Sequence, residues 1–253
     1  MKPVRYGQHF LQNTAVIDRI IKHAKVASDD VILEVGPGKG ILTRALASSA
    51  NHVVCVEIDK KLVDDSSLWL LDNISIINAD ILQVDLSKLR SWNKCVSNLP
   101  YQISSPFLFR LLQYSFDLAV LMFQKDFAQR LTAQPNTSQY SRLTVHLYYF
   151  ATCELLETVA KTQFVPQPKV DSMLVRILPR AKPPFVVYDE ELFFSLTTQL
   201  FNHRRKTIGN GLVPLLGSQA KTVQFADKRV EQLTPEEIGM VCNEVSVLLK
   251  RIV

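Results

Sequence analysis

The stretch VSNLPYQISSPF, residues 96–107, sets a primary amide, Asn98, and an aromatic ring, Tyr101, on either side of Leu99 and Pro100. Pro100 has no N–H and a fixed φ, so these four residues form a stiff loop where an apolar strand runs out, and they cannot extend a sheet. Stiff loops at strand ends are where groups that bond or stack on a ligand are held. Alone, the tetrapeptide reads more readily as an ordinary Asn-Pro-type turn.

Three other clusters change that balance. VILEVGPGKG, residues 31–40, carries Gly36, Gly38 and Gly40, which permit a tight turn and close approach of backbone to a ligand. GPGKG is neither the dinucleotide GxGxxG nor a phosphate loop ending in GK[ST], and glycine there also serves simple helix–strand packing. Glu57, in VEID, lies nineteen residues beyond Gly38, the position from which an acid reaches a ribose diol in nucleotide-binding α/β folds. Asp80 lies in NADIL. The glycine loop, Glu57, Asp80 and Asn98 thus stand at the carboxyl ends of four successive predicted strands, the side on which open α/β sheets bind ligands. Each would serve alone as a loop cap, but four in order favour a site. A pyrophosphate normally sits on a helix N-terminus, whereas Glu34 and Asp80 add negative charge beside the glycines. A ligand with a cationic part suits that charge, S-adenosylmethionine better than NAD.

The elements that must position these residues are visible from about residue 30. VILEV, HVVCVEI, ISIINADIL, KCVSNL and DLAVLMFQ read as strands, and the stretches after the first two, ILTRALASSA and KKLVDDSSLWLL, read as helices. The alternation predicts βαβ units and a parallel sheet covered on both faces, an α/β fold. Residues 124–150 look helical, and CELLETVAKT with VDSMLVRILP looks like a terminal strand pair. PRAKPPF, residues 179–185, contains three prolines and breaks any regular element, which places a domain boundary between residues 1–182 and 183–253. Beyond it, ELFFSLTTQLF, GLVPLLG and PEEIGMVCNEVSVLL have helical spacing only, predicting a small helical domain.

The 253 residues, 47% hydrophobic and 21% charged, suit one medium domain with a small companion. No window is apolar enough to span a membrane and the start has no signal-peptide core, so a cytosolic protein is expected. The four cysteines are far apart without a CxxC pair, which suggests neither a disulfide framework nor a metal site. Net charge is +5; residues 1–182 carry 21 Lys and Arg against 16 Asp and Glu, while residues 183–253 are balanced at 8 and 8. Within the first 25 residues Lys2, Arg5, Arg19, Lys22 and Lys25 face Asp18 alone, a basic arm of the kind that contacts phosphates or forms a solvated helix face.

GQHFL at 7–11, EVGPGKGILT at 34–43, EID at 57–59 and NLPYQISSP at 98–106 occur together in this order, followed by QKDFAQRL, FVPQPKVDS at 164–172 and FNHRRKTIGNGL at 201–212. The chain is similar, over nearly its whole length, to the ribosomal RNA adenine N6,N6-dimethyltransferase family. GxG and NLPY are shared with many methyltransferases, including those that confer macrolide resistance; FVPQPKVDS and FNHRRKT narrow the match. His9 stands where the motif commonly has Asn.

The resemblance implies a Rossmann-like, S-adenosylmethionine-dependent methyltransferase sheet with a small C-terminal all-α domain. It implies dimethylation of N6 on two adjacent adenosines near the 3′ end of small-subunit (16S) ribosomal RNA, within a pre-assembled subunit, by a cytoplasmic monomer with a role in ribosome biogenesis. Adenine N6 is a poor nucleophile because its lone pair is delocalised. The resemblance assigns the Asn98 side-chain oxygen and the Pro100 carbonyl to accept its hydrogens, and Tyr101 and Phe164 to stack on the base. It assigns the donor to His9, Leu11, Gly36, Gly38, Glu57, Ile58, Asp80, Ile81 and Asn98. RNA contacts fall to Lys2, Arg5, Arg204, Arg205 and Lys206, the last three reading otherwise as a solvated helix end. The alternative is a non-catalytic rRNA-binding assembly factor on the same fold, whose mark would be an eroded Asn98–Tyr101 loop. A nicotinamide-dependent dehydrogenase would need GxGxxG and an acid–base constellation that the chain does not contain.

Overall fold

A computed structural model of the protein describes residues 8–252. In chain order the elements are β1 (Phe10–Leu11), α1 (Thr14–Ala24), β2 (Val31–Val35), α2 (Ile41–Ala47), β3 (His52–Glu57), α3 (Lys60–Asp64), β4 (Ile74–Asn78), β5 (Lys94–Asn98), α4 (Ser104–Leu111), β6 (Leu118–Gln124), α5 (Lys125–Leu131), α6 (Arg142–Phe150), β7 (Ala151–Val159), β8 (Phe164–Val165), β9 (Ser172–Pro179), α7 (Glu190–Asn202), α8 (Ile208–Leu216) and α9 (Pro235–Ile252). Among the described residues, one seven-stranded sheet runs in the order β4-β3-β2-β5-β6-β9-β7. Neighbours from β4 to β6 are parallel, and β9 is antiparallel to β6.

The residue types explain this layout. β3 buries all six of its residues and β6 all but Gln124, because parallel central strands have helices on both faces and tolerate no polar side. α1 opens at Asn13, whose side-chain oxygen accepts the N–H groups of Ala15 and Val16 at 2.9 and 3.3 Å, and buries Val16, Ile17, Ile20 and Ala24 along one stripe. Strand order reverses between β2 and β5, so the crossovers on either side lead away from each other and open a crevice at the carboxyl ends. There the β2·β5 ladder stops after Leu33 and Cys95. Beyond it the buried Ser97 hydroxyl donates to the Val35 carbonyl at 2.6 Å and accepts its N–H at 3.2 Å, so neither backbone group is orphaned.

Two expectations from the sequence need correction. Residues 124–150 are not one helix: α5 and α6 are separated by Thr132–Ser141, where Pro135 interrupts the chain and Asn136 takes a left-handed φ of 66°. The chain also does not divide at 182/183 alone. It forms two compact units, one holding the residues up to Ala128 with Thr152–Pro179, the other Gln129–Ala151 with Arg180 onward. Residues 129–151 join the helical unit because Tyr140, Val145 and Tyr149 are buried in one core with Phe193, Leu196, Val241 and Val245. The short antiparallel ribbon β1·β8, pairing Phe10 with Val165 and Leu11 with Phe164, carried no signal in two-residue segments. No described helix is long and apolar enough to cross a membrane.

At the amino ends of the strands, opposite the crevice, Lys94 Nζ lies 2.6 Å from Asp30 Oδ2 and donates to the Lys25 carbonyl at 2.7 Å. The Asp30 carboxylate also accepts from Asn93 and from the Ala27 N–H. Burial alone would raise its pKa, but Lys94, Asn93 and Ala27 outweigh it and hold it below the usual carboxylate value. The pair therefore stabilises the fold fully above the ordinary carboxylate range, and the contribution is lost as pH falls through the depressed folded value. Lys94→Met leaves a buried carboxylate without its cation and is expected to destabilise the first unit by about 3–5 kcal/mol, read from urea unfolding at neutral pH. The deficit should shrink in acid, where both proteins carry a neutral Asp30.

Candidate active site

The crevice gathers residues from four strand ends and from the N-terminal segment. After β2 the chain turns through Gly36 and Gly38, both at left-handed φ, 66° and 57°. A side chain at Gly38 would place its Cβ 2.8 Å from the Phe10 ring, and one at Gly36 would touch the Pro100 ring at 3.4 Å. Glycine is thus required where β1, the turn and the Asn98–Tyr101 loop converge.

Glu57 ends β3 and ties the turn to it. One carboxylate oxygen accepts the Gly38 N–H at 3.2 Å and the other the Asp59 N–H at 2.9 Å. Each oxygen keeps a further lone pair for a ligand hydroxyl. Burial raises its pKa, against the lowering effect of these backbone donors. Glu34, at the end of β2, is only 2% exposed, with the Cys55 thiol donating to it at 3.7 Å. Burial pushes its pKa up to about 8, only partly offset by the Thr43 hydroxyl and the Cys55 thiol. Burial thus favours the protonated form of Glu34 and weakens the negative charge expected of it; Glu34 and Glu57 line the smaller hollow, Glu57 and Asp80 the larger.

Two contiguous hollows share Gly36, Glu57, Ile58 and Pro100. The larger, about 320 Å³, is walled by Val35, Val56, Ile58, Ile81 and Ile103 with Asp80 at its side. The smaller, about 70 Å³, runs between the glycine turn, Asn98 and the segment Gln8–Leu11. An apolar slot, an acid at the waist and a narrow polar end match a nucleoside with a short polar tail.

Asn98 points its amide nitrogen at the His9 carbonyl, 3.1 Å away. Its side-chain oxygen is left without a protein donor among the described residues, and Asn98 lines the smaller hollow. Pro100 O already accepts the Ile103 N–H at 3.1 Å and has one lone pair left. The Tyr101 hydroxyl meets Ser172 Oγ at 2.8 Å, and its ring lies 5.6 Å from that of His9. His9 Nδ1 donates to the Pro166 carbonyl at 2.7 Å, so its side chain reaches the FVPQPKVDS loop while its backbone serves Asn98.

Leu11 lines the smaller hollow, Asp80 and Ile81 the larger, and Ile58 both. Phe164 does not present a free ring. It is 1% exposed, shares one buried core with Leu11, Ile17 and Val159, pairs with Leu11 in the β1·β8 ribbon and lines neither hollow. Arg204 is also spent internally: its guanidinium bonds Glu231 at 2.6 Å and the carbonyls of Ser138 and Thr137 at 3.1 and 3.4 Å. Arg205 and Lys206 are exposed without a partner among the described residues. Lys2 and Arg5 lie outside the described residues. Sequence reasoning gave no part to Gln8, which donates to Asp59 Oδ2 at 3.2 Å, or to Ser172, although both sit inside the quoted motifs GQHFL and FVPQPKVDS.

Residues 2–247 match the family described as ribosomal RNA adenine dimethylase. A relative from Methanosarcina acetivorans, named probable ribosomal RNA small subunit methyltransferase A, is 40% identical over 258 residues, covering 97% of this chain and 94% of its own. The crystal structure of a dimethyladenosine transferase from Plasmodium falciparum superposes with a TM-score of 0.81 at 27% identity, covering 94% of this chain and 98% of that one. That of the 23S rRNA methyltransferase ErmE gives 0.69 at 28% identity, covering 94% and 99%. With a match that spans both compact units, the chain belongs to the ribosomal RNA adenine dimethylase family.

Proposed function

We propose that this crevice transfers methyl groups from S-adenosylmethionine to N6 of two adjacent adenosines near the 3′ end of small-subunit ribosomal RNA. The observation that carries the reading is the Asn98 amide: on a residue that lines the hollow, its nitrogen is committed to the His9 carbonyl, which leaves its oxygen as an unused acceptor. A non-catalytic assembly factor has no need of an intact Asn98–Tyr101 loop held this way. The substrate state we favour is a pre-assembled small subunit in the cytoplasm, approached by a monomer through its basic residues, with Arg205 and Lys206 contributing from the helical unit.

The hollows fit the donor by their chemistry. The apolar slot lined by Ile58, Ile81 and Asp80 would hold the adenine. Glu57 would accept the ribose hydroxyls, and Gly36, Gly38, Leu11 and the His9 backbone would hold the amino-acid tail. S-adenosylmethionine supplies, when bound, an electrophilic methyl on a sulfonium. The chain's own residues make the nucleophile competent. Asn98 Oδ1 and the Pro100 carbonyl accept the two amino hydrogens of the target adenine, which draws the nitrogen out of conjugation and aims its lone pair. Tyr101 stacks on the extruded base. Holding the reacting atoms about 3 Å apart and in line supplies roughly 7–11 kcal/mol of the barrier as effective molarity. No tuned general base is needed, because the nitrogen becomes acidic as it is methylated and releases its proton to solvent.

Incubation with labelled S-adenosylmethionine and unmethylated small ribosomal subunits, followed by nucleoside analysis, is expected to yield dimethyladenosine; donor binding without it would leave the assembly-factor reading. Asn98→Ala is expected to lower kcat about 10²–10³-fold with the fold intact by circular dichroism, and unchanged turnover would remove the role assigned here. The Glu57 pKa is raised, so donor affinity should be full above that raised value and weaken as pH falls through it, when the protonated acid can no longer accept from the diol and both backbone donors. Glu57→Gln should bind weakly with that pH dependence gone, as read by calorimetric titration.

A further inference from the structure

Tyr101 and Ser172 are 71 residues apart in sequence, yet their hydroxyls meet at 2.8 Å. They stand at the ends of strands separated by β6, so the phenol reaches across the tip of β6 to find its partner. Ser172 is fully buried, at 0% exposure, and firmly held. It pairs with Gln124 in the β6·β9 register. Its neighbour Asp171 accepts the Lys125 N–H on its carbonyl and the Lys161 N–H on its side chain, both at 3.0 Å. Nothing in the transfer step uses this hydroxyl.

The phenol oxygen lies on the long axis of the ring, so a hydrogen bond there sets where that axis points. Rotation of the ring plane is left to its neighbour, the His9 imidazole, tilted 30° from it and anchored on Pro166. Burial raises the Tyr101 pKa, so the phenol keeps its proton at neutral pH.

We infer that Ser172 is a positioning residue for methyl transfer, fixing through its hydroxyl the axis of the Tyr101 ring on which the target adenine stacks. The inference rests on Tyr101 being the stacking residue. In-line transfer is sensitive to placement: an error of about 1 Å costs on the order of 10²-fold. Removing one of two constraints on the ring costs less, on the order of tenfold.

The test is steady-state methylation of unmethylated small ribosomal subunits by Ser172→Ala, Ser172→Thr, Tyr101→Phe, the Ser172→Ala/Tyr101→Phe double variant and Tyr101→Ala. Ser172→Ala and Tyr101→Phe are each expected to lower kcat on the order of tenfold with KM for S-adenosylmethionine unchanged, and Ser172→Thr to restore it. The double variant should be no slower than either single one, because both remove the same bond. Wild-type kcat in Ser172→Ala, losses that multiply in the double variant, or a Ser172→Ala effect confined to melting temperature or donor KM would overturn the inference. Tyr101→Ala separates the two readings. Wild-type turnover there removes the stacking role itself, whereas inactivity there beside wild-type Ser172→Ala and Tyr101→Phe removes only the positioning role.

Discussion

The site depends on what happens where β2 and β5 part. Two parallel strands inside a sheet would ordinarily stay zipped to their ends, because buried N–H and C=O groups need partners. Here the crossovers diverge at the reversal of strand order, and the Ser97 hydroxyl takes over both backbone groups of Val35. That substitution lets the tips separate without an unpaired polar group. The space so opened is bounded by the glycine turn on one side and the Asn98–Tyr101 loop on the other, and a Cβ at Gly36 would already meet the Pro100 ring at 3.4 Å.

Around that opening the acids are tuned by depth. Glu34 is only 2% exposed, and its burial beside Cys55 favours the protonated form. Glu57 sits higher, where backbone donors from Gly38 and Asp59 counter the cost of burial. One crevice thus holds two carboxyl groups of different character: Glu34, which burial biases toward its neutral form, and Glu57, with backbone donors on both oxygens. The cationic preference inferred for the ligand rests on fewer charges than a count of acids suggests.

The N-terminal segment binds the arrangement together. The His9 carbonyl turns the Asn98 amide and its imidazole grips the loop after β8, while Phe10 and Leu11 pair with that loop and cover Phe164. A segment of four residues therefore touches the glycine turn, the acceptor amide and the aromatic loop at once. His9 in place of the family's common Asn is compatible with this role, since its contact with Asn98 is made by the backbone.

What was legible in the sequence was whatever depends on local spacing. Continuous apolar runs such as HVVCVE specify buried parallel strands, glycines at 36 and 38 specify a turn of positive φ, and Glu57, Asp80 and Asn98 recur one per strand end, so the α/β fold and the site's position follow from the chain alone. Motifs taken together also carried the family. Tertiary structure decided what depends on distant partners: that Arg204 in a basic run is consumed by Glu231, that Phe164 is buried in the core, that residues 129–151 join the helical core, and that burial raises the Glu34 pKa. Burial and pairing are properties of the whole packed chain, and residues 71 positions apart such as Tyr101 and Ser172 become neighbours only when the strands between them are in register.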